Sequence, residues 1–204
     1  MVDLIPTEEE RNELIETLRT VTAGKIYVEV DRARLTLRLV KKLEGEGKVN
    51  EACDMLLELQ VETYGSMQMQ EKIEYLLDQM RLLVACKDYV RASIIAKKIS
   101  AGYFEGDKKT EQEVQKLKMN FYNYLIEIGL HKEDYLDVCR CHHALFDTHM
   151  INEDPTKAAE ELKNTVVCDC RSHARTTSVL LSSQRRSAPV TLKVIRRPSR
   201  RFRT

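Results

Sequence analysis

The chain has 204 residues, of which 43% are apolar and 32% charged, with seven glycines, four prolines and no tryptophan. This composition allows a sizeable core and favours an all-helical protein, because few residues break helices. No apolar run is long enough to cross a membrane, and the acidic N-terminus lacks the apolar stretch of a signal peptide. We therefore expect a chain of the cytoplasm and nucleus, with its six cysteines reduced.

The first half of the chain predicts a series of amphipathic helices, because apolar residues recur at every third or fourth position. A capping box, Thr7-x-x-Glu10, opens the first helix, and Gly24 ends it. The next helices are predicted over about 31–44, 48–63, 67–86 and 89–99.

The second half continues in the same way after a predicted loop over 100–109. A second capping box, Thr110-x-x-Glu113, opens a helix that extends through Ile128. A further helix is predicted over 135–149. Asp154 and Pro155 then form a suitable start for a last, short helix that contains Ala159, Leu162 and Val166.

Three of the predicted turns share one form, in which an apolar residue enters the second helix and a small or modest residue follows three places later. The three stretches are Lys48-Val49-x-x-Ala52, Lys87-Asp-Tyr89-x-x-Ala92 and Lys132-Glu-Asp-Tyr135-x-x-Val138, spaced by 40 and 46 residues. The spacing predicts an α-solenoid of TPR-like helical hairpins, although no strict tetratricopeptide consensus is matched. We expect Tyr64-Gly65 to separate two hairpins, with Gly65 at positive φ.

Composition changes abruptly at Val167. Residues 1–167 contain 23 Lys and Arg against 31 Asp and Glu, whereas residues 168–204 contain 10 against one. Arginine also replaces lysine as the main basic residue beyond this point. We therefore predict a helical-repeat solenoid over 1–167 and an Arg/Ser-rich basic tail over 168–204 that is disordered in isolation.

Motifs of the common enzyme classes are missing from the sequence. It has no GxxxxGK[ST] or GxGxxG loop, no HExxH and no GxSxG. We therefore predict that the chain is not an enzyme. We also expect no catalytic or cofactor-binding residues, no cofactor and no small-molecule substrate.

The best candidate for a metal site is the stretch CRCHHALFDTHM with its downstream neighbours. Its residues are Cys139, Cys141, His142, His143, His149, Cys168, Cys170 and His173. Zinc needs four ligands in tetrahedral reach, yet two thiols in a helical Cys-x-Cys point about 200° apart. We therefore interpret Cys139 and His142 as interface residues of an amphipathic helix and predict no metal ligands.

Two other groups also have a structural interpretation. The carboxylates of Glu8, Glu9 and Glu10 suit the first turn of a helix, where they interact favourably with the helix dipole. The methionines Met55, Met67, Met69 and Met80 are interpreted as residues that fill the core and the seams between helices.

Three contiguous segments carry a family resemblance. They are KIYVEVDRARLT (25–36), ELQVETYGSM (58–67) and QMRLLVACKDYVRASIIAKKI (79–99). They closely resemble the N-terminal solenoid of the family of 26S proteasome lid subunits called non-ATPase regulatory subunit 12. The resemblance extends from about Lys25 to Val167, about 70% of the chain, and is looser over 100–112.

The resemblance implies a non-catalytic scaffold that supports ubiquitin-dependent degradation, with a rod of helical hairpins, a PCI module and a C-terminal helix. The implied partners are other lid subunits, including PCI scaffolds and the deubiquitinating subunit, together with the base and core particle. Beyond Val167 the basic tail takes the place of the family's further hairpins, so we expect no PCI module. We hypothesise that residues 168–204 come from an alternative or misread coding segment, which sequencing of the transcript would test.

Two alternative functions remain open from the sequence. Related PCI subunits also build the COP9 signalosome and a translation initiation factor complex, so the chain could belong to one of these assemblies. A nucleic-acid-binding adaptor could instead use RRPSRRFR (196–203) to bind phosphates through charge. Base readout or stacking needs more than Phe202 offers, so we favour the lid over nucleic acid.

Overall fold

The computed structural model describes residues 7–105 and 111–186, and within these ranges the chain is helical throughout, without a strand. The helices are α1 (Glu8–Val21), α2 (Glu29–Gly45), α3 (Val49–Leu57), α4 (Met69–Ala85), α5 (Tyr89–Ala96), α6 (Gly102–Glu105), α7 (Gln112–Lys132), α8 (Tyr135–Phe146), α9 (His149–Asn152) and α10 (Pro155–Arg186). Two 3₁₀ turns, Ile26–Val28 and Val61–Thr63, lie between them. The predicted all-α fold is confirmed.

The helices form antiparallel hairpins that stack on one another. The pairs α2/α3, α4/α5 and α7/α8 are the three hairpins, and α4 packs against both α3 and α7. Helix α1 covers α2, where Ile15 and Leu39 form a small apolar cluster. Helix α10 packs along α8 at the other end. This order is that of an α-solenoid, in which each hairpin contacts mainly its neighbours.

The three hairpin turns have the same backbone geometry. Gly47, Lys87 and Glu133 take left-handed conformations, with φ of 79°, 60° and 57°. The next residue of each turn donates its amide to a carbonyl five positions back, at 2.9 Å in every case: Lys48 to Leu43, Asp88 to Leu83 and Asp134 to Gly129. These hydrogen bonds define a Schellman ending. The shared form predicted from the sequence is confirmed.

The two helices of each hairpin approach closely at the predicted small residue. Ala52, Ala92 and Val138 are each fully buried. The third hairpin carries the larger valine, but a methyl group added at Gly129 would lie only 2.6 Å from Val138 Cγ2. In the first two hairpins the position of Gly129 is occupied by Leu43 and Leu83. The larger of the two side chains therefore lies on the first helix in these two hairpins and on the second helix in the third.

Helix α3 is shorter than predicted, because a buried side chain replaces its next helical hydrogen bonds. Gln79 of α4 is 2% exposed, and its Nε2 donates to the carbonyls of Leu56 at 2.9 Å and Leu59 at 3.0 Å. The chain leaves the helix at Leu57 and inserts Leu59 and Val61 into the core.

The helix predicted over 135–149 is interrupted for a similar reason. Helix α8 ends at Phe146 and the chain restarts as α9 at His149. The buried Gln115 of α7 accepts a hydrogen bond from the amide of Met150 at 3.2 Å, which satisfies a donor at the start of α9.

Other predicted boundaries also differ. The loop over 100–109 contains the short helix α6, and Thr110 lies outside the described residues. Gly65 is not at positive φ, whereas Gly24 and Gly47 are. The Thr7 hydroxyl donates to the Glu10 carboxylate and accepts no hydrogen bond from a backbone amide, so the capping box is not formed as predicted.

The last helix is long, not short. It begins at Pro155 as expected, but α10 continues through Val167 to Arg186. The compositional boundary therefore does not coincide with a helix end. Residues 187–204, about half of the predicted tail, lie outside the described residues.

Candidate interaction surface

The histidines of the candidate metal cluster are spread over separate turns, and each lies beside a carboxylate of its own. His142 Nδ1 lies 2.7 Å from Glu161 Oε2, and the Cys139 thiol donates to the Thr165 carbonyl at 3.6 Å. The other three histidines face carboxylates one turn away: His143 with Asp147, His149 with Glu153 and His173 with Asp169. Over 7–105 and 111–186, no group of three or more His, Cys, Asp and Glu could hold a metal ion.

The buried thiols are poorly suited to nucleophilic chemistry. Burial raises the pKa of Cys53 to about 12, and burial likewise raises the pKa of Cys141 to about 12. A reactive cysteine needs the opposite shift, because the thiolate is the nucleophile. These thiols therefore act as core side chains of α3 and α8.

Ion pairs at a nearly constant sequence separation connect the first two hairpins. Arg34 bonds Glu71 through Nε at 2.7 Å, and the Arg81 guanidinium bonds Glu44 at 2.5 Å. Arg91 pairs with Asp54 at 3.5 Å. All three pairs join residues 37 positions apart. They specify the register of α4 on α2 and of α5 on α3. The register in turn determines which side chains lie together on the surface of the stack.

Glu44 and Glu71 of this ladder remain ionised to lower pH than free glutamate. The hydrogen bond from Arg81 lowers the pKa of Glu44, and the hydrogen bond from Arg34 lowers the pKa of Glu71, in each case against a smaller opposing effect of burial. The paired charges are therefore maintained at neutral pH.

Large apolar side chains are exposed along much of the stack. They are Val21, Ile26, Tyr27, Met69, Val90, Ile94, Leu130, Leu136, Leu162, Val166 and Val167. Met69 is 60% exposed, so its assignment to the core is wrong, whereas Met67 and Met80 are buried. Met69 is the first residue of α4, and its side chain is exposed to solvent at the end of the helix. Single exposed apolar residues are ordinary on protein surfaces, so those that lie at one edge are the candidates for contacts with other proteins.

Two remaining sequence features add no chemistry here. Helix α1 begins at Glu8, so Glu8, Glu9 and Glu10 form its first turn. The arginine-rich stretch 196–203 lies outside the described residues. Among the helices of the described part, none is long and apolar enough to cross a membrane.

Stacked hairpins with an ion-paired surface and exposed apolar side chains define an α-solenoid. The groups that it offers for binding lie on its surface. The family model described as PSMD12/CSN4, N-terminal, matches residues 1–154, and the chain belongs to this family. The match also includes the first 24 residues, which the three segments of the resemblance did not cover.

Curated relatives agree with this assignment. The chain is 48% identical over 155 residues to the 26S proteasome regulatory subunit rpn501 of Schizosaccharomyces pombe, covering 76% of the chain and 34% of the relative. It is 45% identical over 147 residues to the 26S proteasome regulatory subunit RPN5 of Saccharomyces cerevisiae, covering 72% and 32%. It is 38% identical over 172 residues to the 26S proteasome non-ATPase regulatory subunit 12 homolog A of Arabidopsis thaliana, covering 76% and 39%. The chain therefore matches about a third of the length of these relatives, and the predicted resemblance is confirmed.

Proposed function

We propose that this chain is a non-catalytic scaffold subunit of the 26S proteasome regulatory particle lid and supports ubiquitin-dependent protein degradation. The observation that carries the proposal is the match of residues 1–154 to the PSMD12/CSN4 N-terminal family, together with relatives named as proteasome regulatory subunits. The stacked hairpins support a scaffold, because a solenoid presents a long surface built from successive repeats.

The proposed partners are other lid subunits, including PCI scaffolds and the deubiquitinating subunit, and the base and core particle. Exposed apolar side chains such as Val90 and Leu136 suit contacts between proteins. The proposal includes no catalytic step, no cofactor and no small-molecule substrate. It places the chain in the cytoplasm and nucleus.

We also propose two compositional parts, a solenoid over 1–167 and a basic segment over 168–204. The reversal of net charge at Val167 supports this division. Because α10 crosses the boundary, the first part of the basic segment extends the last helix of the stack. Deleting residues 187–204 should therefore leave the midpoint temperature of unfolding unchanged. Deleting all residues from 168 onward should lower that temperature.

Size-exclusion chromatography of native lysate, with detection of the tagged chain, tests the proposed function. We expect the chain to migrate with the proteasome and to co-purify with proteasome ATPases. A matched control is Leu83→Asp, which places a charge at a fully buried position and should abolish incorporation. Migration of the intact chain as a small species, or co-purification with signalosome or ribosomal proteins, would contradict the lid assignment.

A further inference from the structure

Two neighbouring turns of the solenoid line an open cavity at the edge of the stack. The ring of Tyr89, at the start of α5, stacks on that of His131, at the end of α7, with centroids 4.0 Å apart and planes inclined by 22°. The cavity beside this ring pair has a volume of about 540 Å³, and Lys87, Val90 and Lys132 contribute to its walls. Its size is within the range of sites that hold a ligand or an anchoring side chain.

Equivalent positions of two successive hairpins expose an apolar side chain at this edge. Val90 is the second residue of α5 and Leu136 the second residue of α8, and they are 71% and 47% exposed. In the first hairpin the same position is occupied by Asn50. The apolar pair is therefore confined to the edge that the second and third hairpins share.

The charged side chains of the cavity leave positive charge available. Lys87 and Lys132 are exposed, and neither has an ion pair within the part of the chain that the structure describes. The carboxylate in the lining, Asp88, is already occupied, because it accepts hydrogen bonds from the Arg91 amide at 2.9 Å and from Arg91 Nε at 2.6 Å. These hydrogen bonds lower the pKa of Asp88. Glu133, which follows Lys132, has a contact of its own.

We propose that this turn-edge groove, formed by Lys87, Val90 and Lys132 beside the Tyr89–His131 ring pair, docks an acidic segment of a partner protein that carries two apolar side chains, and that the exposed Leu136 at the equivalent position of the next hairpin extends the docking surface. The apolar side chains pack on Val90 and Leu136, and the carboxylates face the two lysines. The groove extends the proposed scaffold function, but its chemistry does not depend on which complex contains the chain.

A protein segment fits the groove better than nucleic acid does. Phosphates would use the lysines, but nucleic-acid binding also uses aromatic faces on which bases stack. Here the two rings stack on each other, and the exposed neighbours are aliphatic. Valine and leucine gain most from burial against another apolar side chain.

The two kinds of contact contribute differently to binding. Burial of the aliphatic side chains supplies most of the affinity, because exposed ion pairs contribute little on their own. The lysines determine the preferred charge of the partner and make association weaken as salt increases. The apolar and charged variants should therefore be distinguishable by their salt dependence.

A binding experiment with the purified full chain tests the groove. The probe is a set of blocked, fluorescently labelled acidic peptides in which two leucines stand at varied spacing, measured by fluorescence anisotropy. We expect at least one spacing to bind. Val90→Asp and Leu136→Asp should each weaken that peptide about tenfold. The combined Lys87→Glu and Lys132→Glu variant should weaken it about fivefold at low salt and have little effect at high salt.

Matched controls test whether the binding depends on the groove residues and on the charge of the peptide. Ile26→Asp changes an equally exposed apolar residue, 74% exposed, ahead of α2 and should leave the dissociation constant within about twofold. A lysine-containing version of the peptide should bind the charge-reversed variant better than the parent chain. Equal weakening by Ile26→Asp, or binding insensitive to the Val90 and Leu136 variants, or no peptide that binds, would overturn the groove.

The groove and the lid assignment can fail separately. Co-migration with the proteasome without peptide binding would contradict the groove alone. Peptide binding that depends on Val90 and Lys87, in a chain that migrates as a small species, would contradict the lid assignment and support the groove.

Discussion

Helices α2 to α5 and the pair formed by α8 and α10 are held together by different contacts. The first group shares one continuous apolar core, which includes Leu56, Met80 and Leu83 and extends into α7. On its surface, ion pairs 37 positions apart link successive hairpins. Buried residues of the second group, such as Cys141, Leu145 and Cys168, lie outside that core.

The difference shows how register is fixed in each region. In the first group both apolar packing and the ladder of ion pairs specify how one hairpin sits on the next. In the second, α10 lies along α8 with a partly buried His142–Glu161 pair and the Cys139–Thr165 contact as its polar links. We infer that the second region opens more easily, because fewer large apolar side chains are buried there.

Thiol labelling gives the largest expected effect on this comparison. At pH 8 the exposed Cys170 should react first, while Cys53 and Cys141, with pKa values of about 12, should react roughly a thousandfold more slowly than an ordinary thiol. In low concentrations of urea Cys141 should become reactive before Cys53, as measured by mass spectrometry of alkylated peptides. Simultaneous labelling of the two would show that both regions open as one unit.

The buried glutamines give the next largest effect. Gln79→Leu removes two buried hydrogen bonds and leaves the Leu59 carbonyl without its donor, while the Leu56 carbonyl keeps a longer bond from the Leu59 amide, so it should lower the free energy of unfolding by about 2–3 kcal/mol. Gln115→Leu removes one longer bond and should cost about 1 kcal/mol.

Chemical denaturation measures both losses. The exposed Gln112→Leu is the control and should change stability by less than about 0.5 kcal/mol. Equal losses for Gln79→Leu and Gln115→Leu would mean that the helix break in each region depends on its glutamine to the same degree.

The glycine of the third hairpin provides a test of the exchange in side-chain size. Gly129→Leu should destabilise the chain by about 1–3 kcal/mol, because the new side chain collides with the stiff, buried Val138. Adding Val138→Ala recreates the leucine–alanine arrangement of the other hairpins and should recover most of the loss. Thermal denaturation of the single and double variants measures the coupling. If the double variant loses the sum of the stabilities lost by the two single variants, positions 129 and 138 do not compensate for each other in side-chain size.

The ladder of ion pairs should give the smallest effect. Arg81→Met removes the partner of Glu44 and should cost about 0.5–1 kcal/mol at neutral pH, since both side chains are partly solvated. Glu44 has a lowered pKa in the folded chain, so its contribution is present above the ordinary value of 4.5 and is lost as the pH falls through the folded value. The difference between parent and variant should therefore shrink below about pH 4.5. A difference that stays constant in acid would show that Arg81 acts through packing alone.

Local features of the sequence predicted the helices and the turns well. The 3.6-residue period and the repeated turn at Lys48, Lys87 and Lys132 depend on hydrogen bonds and packing within a few residues. The prediction that CRCHHALFDTHM holds no metal also uses only helix geometry, since neighbouring thiols point apart, and it stays a prediction.

Features that depend on distant partners were not predictable in this way. Gln79 acts on a helix end 20 to 23 positions earlier, and Gln115 on one 35 positions later. Nothing in their local sequence distinguishes them from exposed glutamines. The exposure of Met69 and the conformation of Gly65 were missed for the same reason, because packing neighbours and not residue type decided them.

The sequence by itself determined that the chain is helical, where its hairpins turn and which family it resembles. These properties depend on short-range periodicity, turn chemistry and residue identity. Only the tertiary structure decided where α3 and α8 end, which apolar side chains remain exposed and how Val90 and Leu136 come to share one edge. Each of these depends on how one hairpin packs on the next, and that packing joins residues tens of positions apart in the chain.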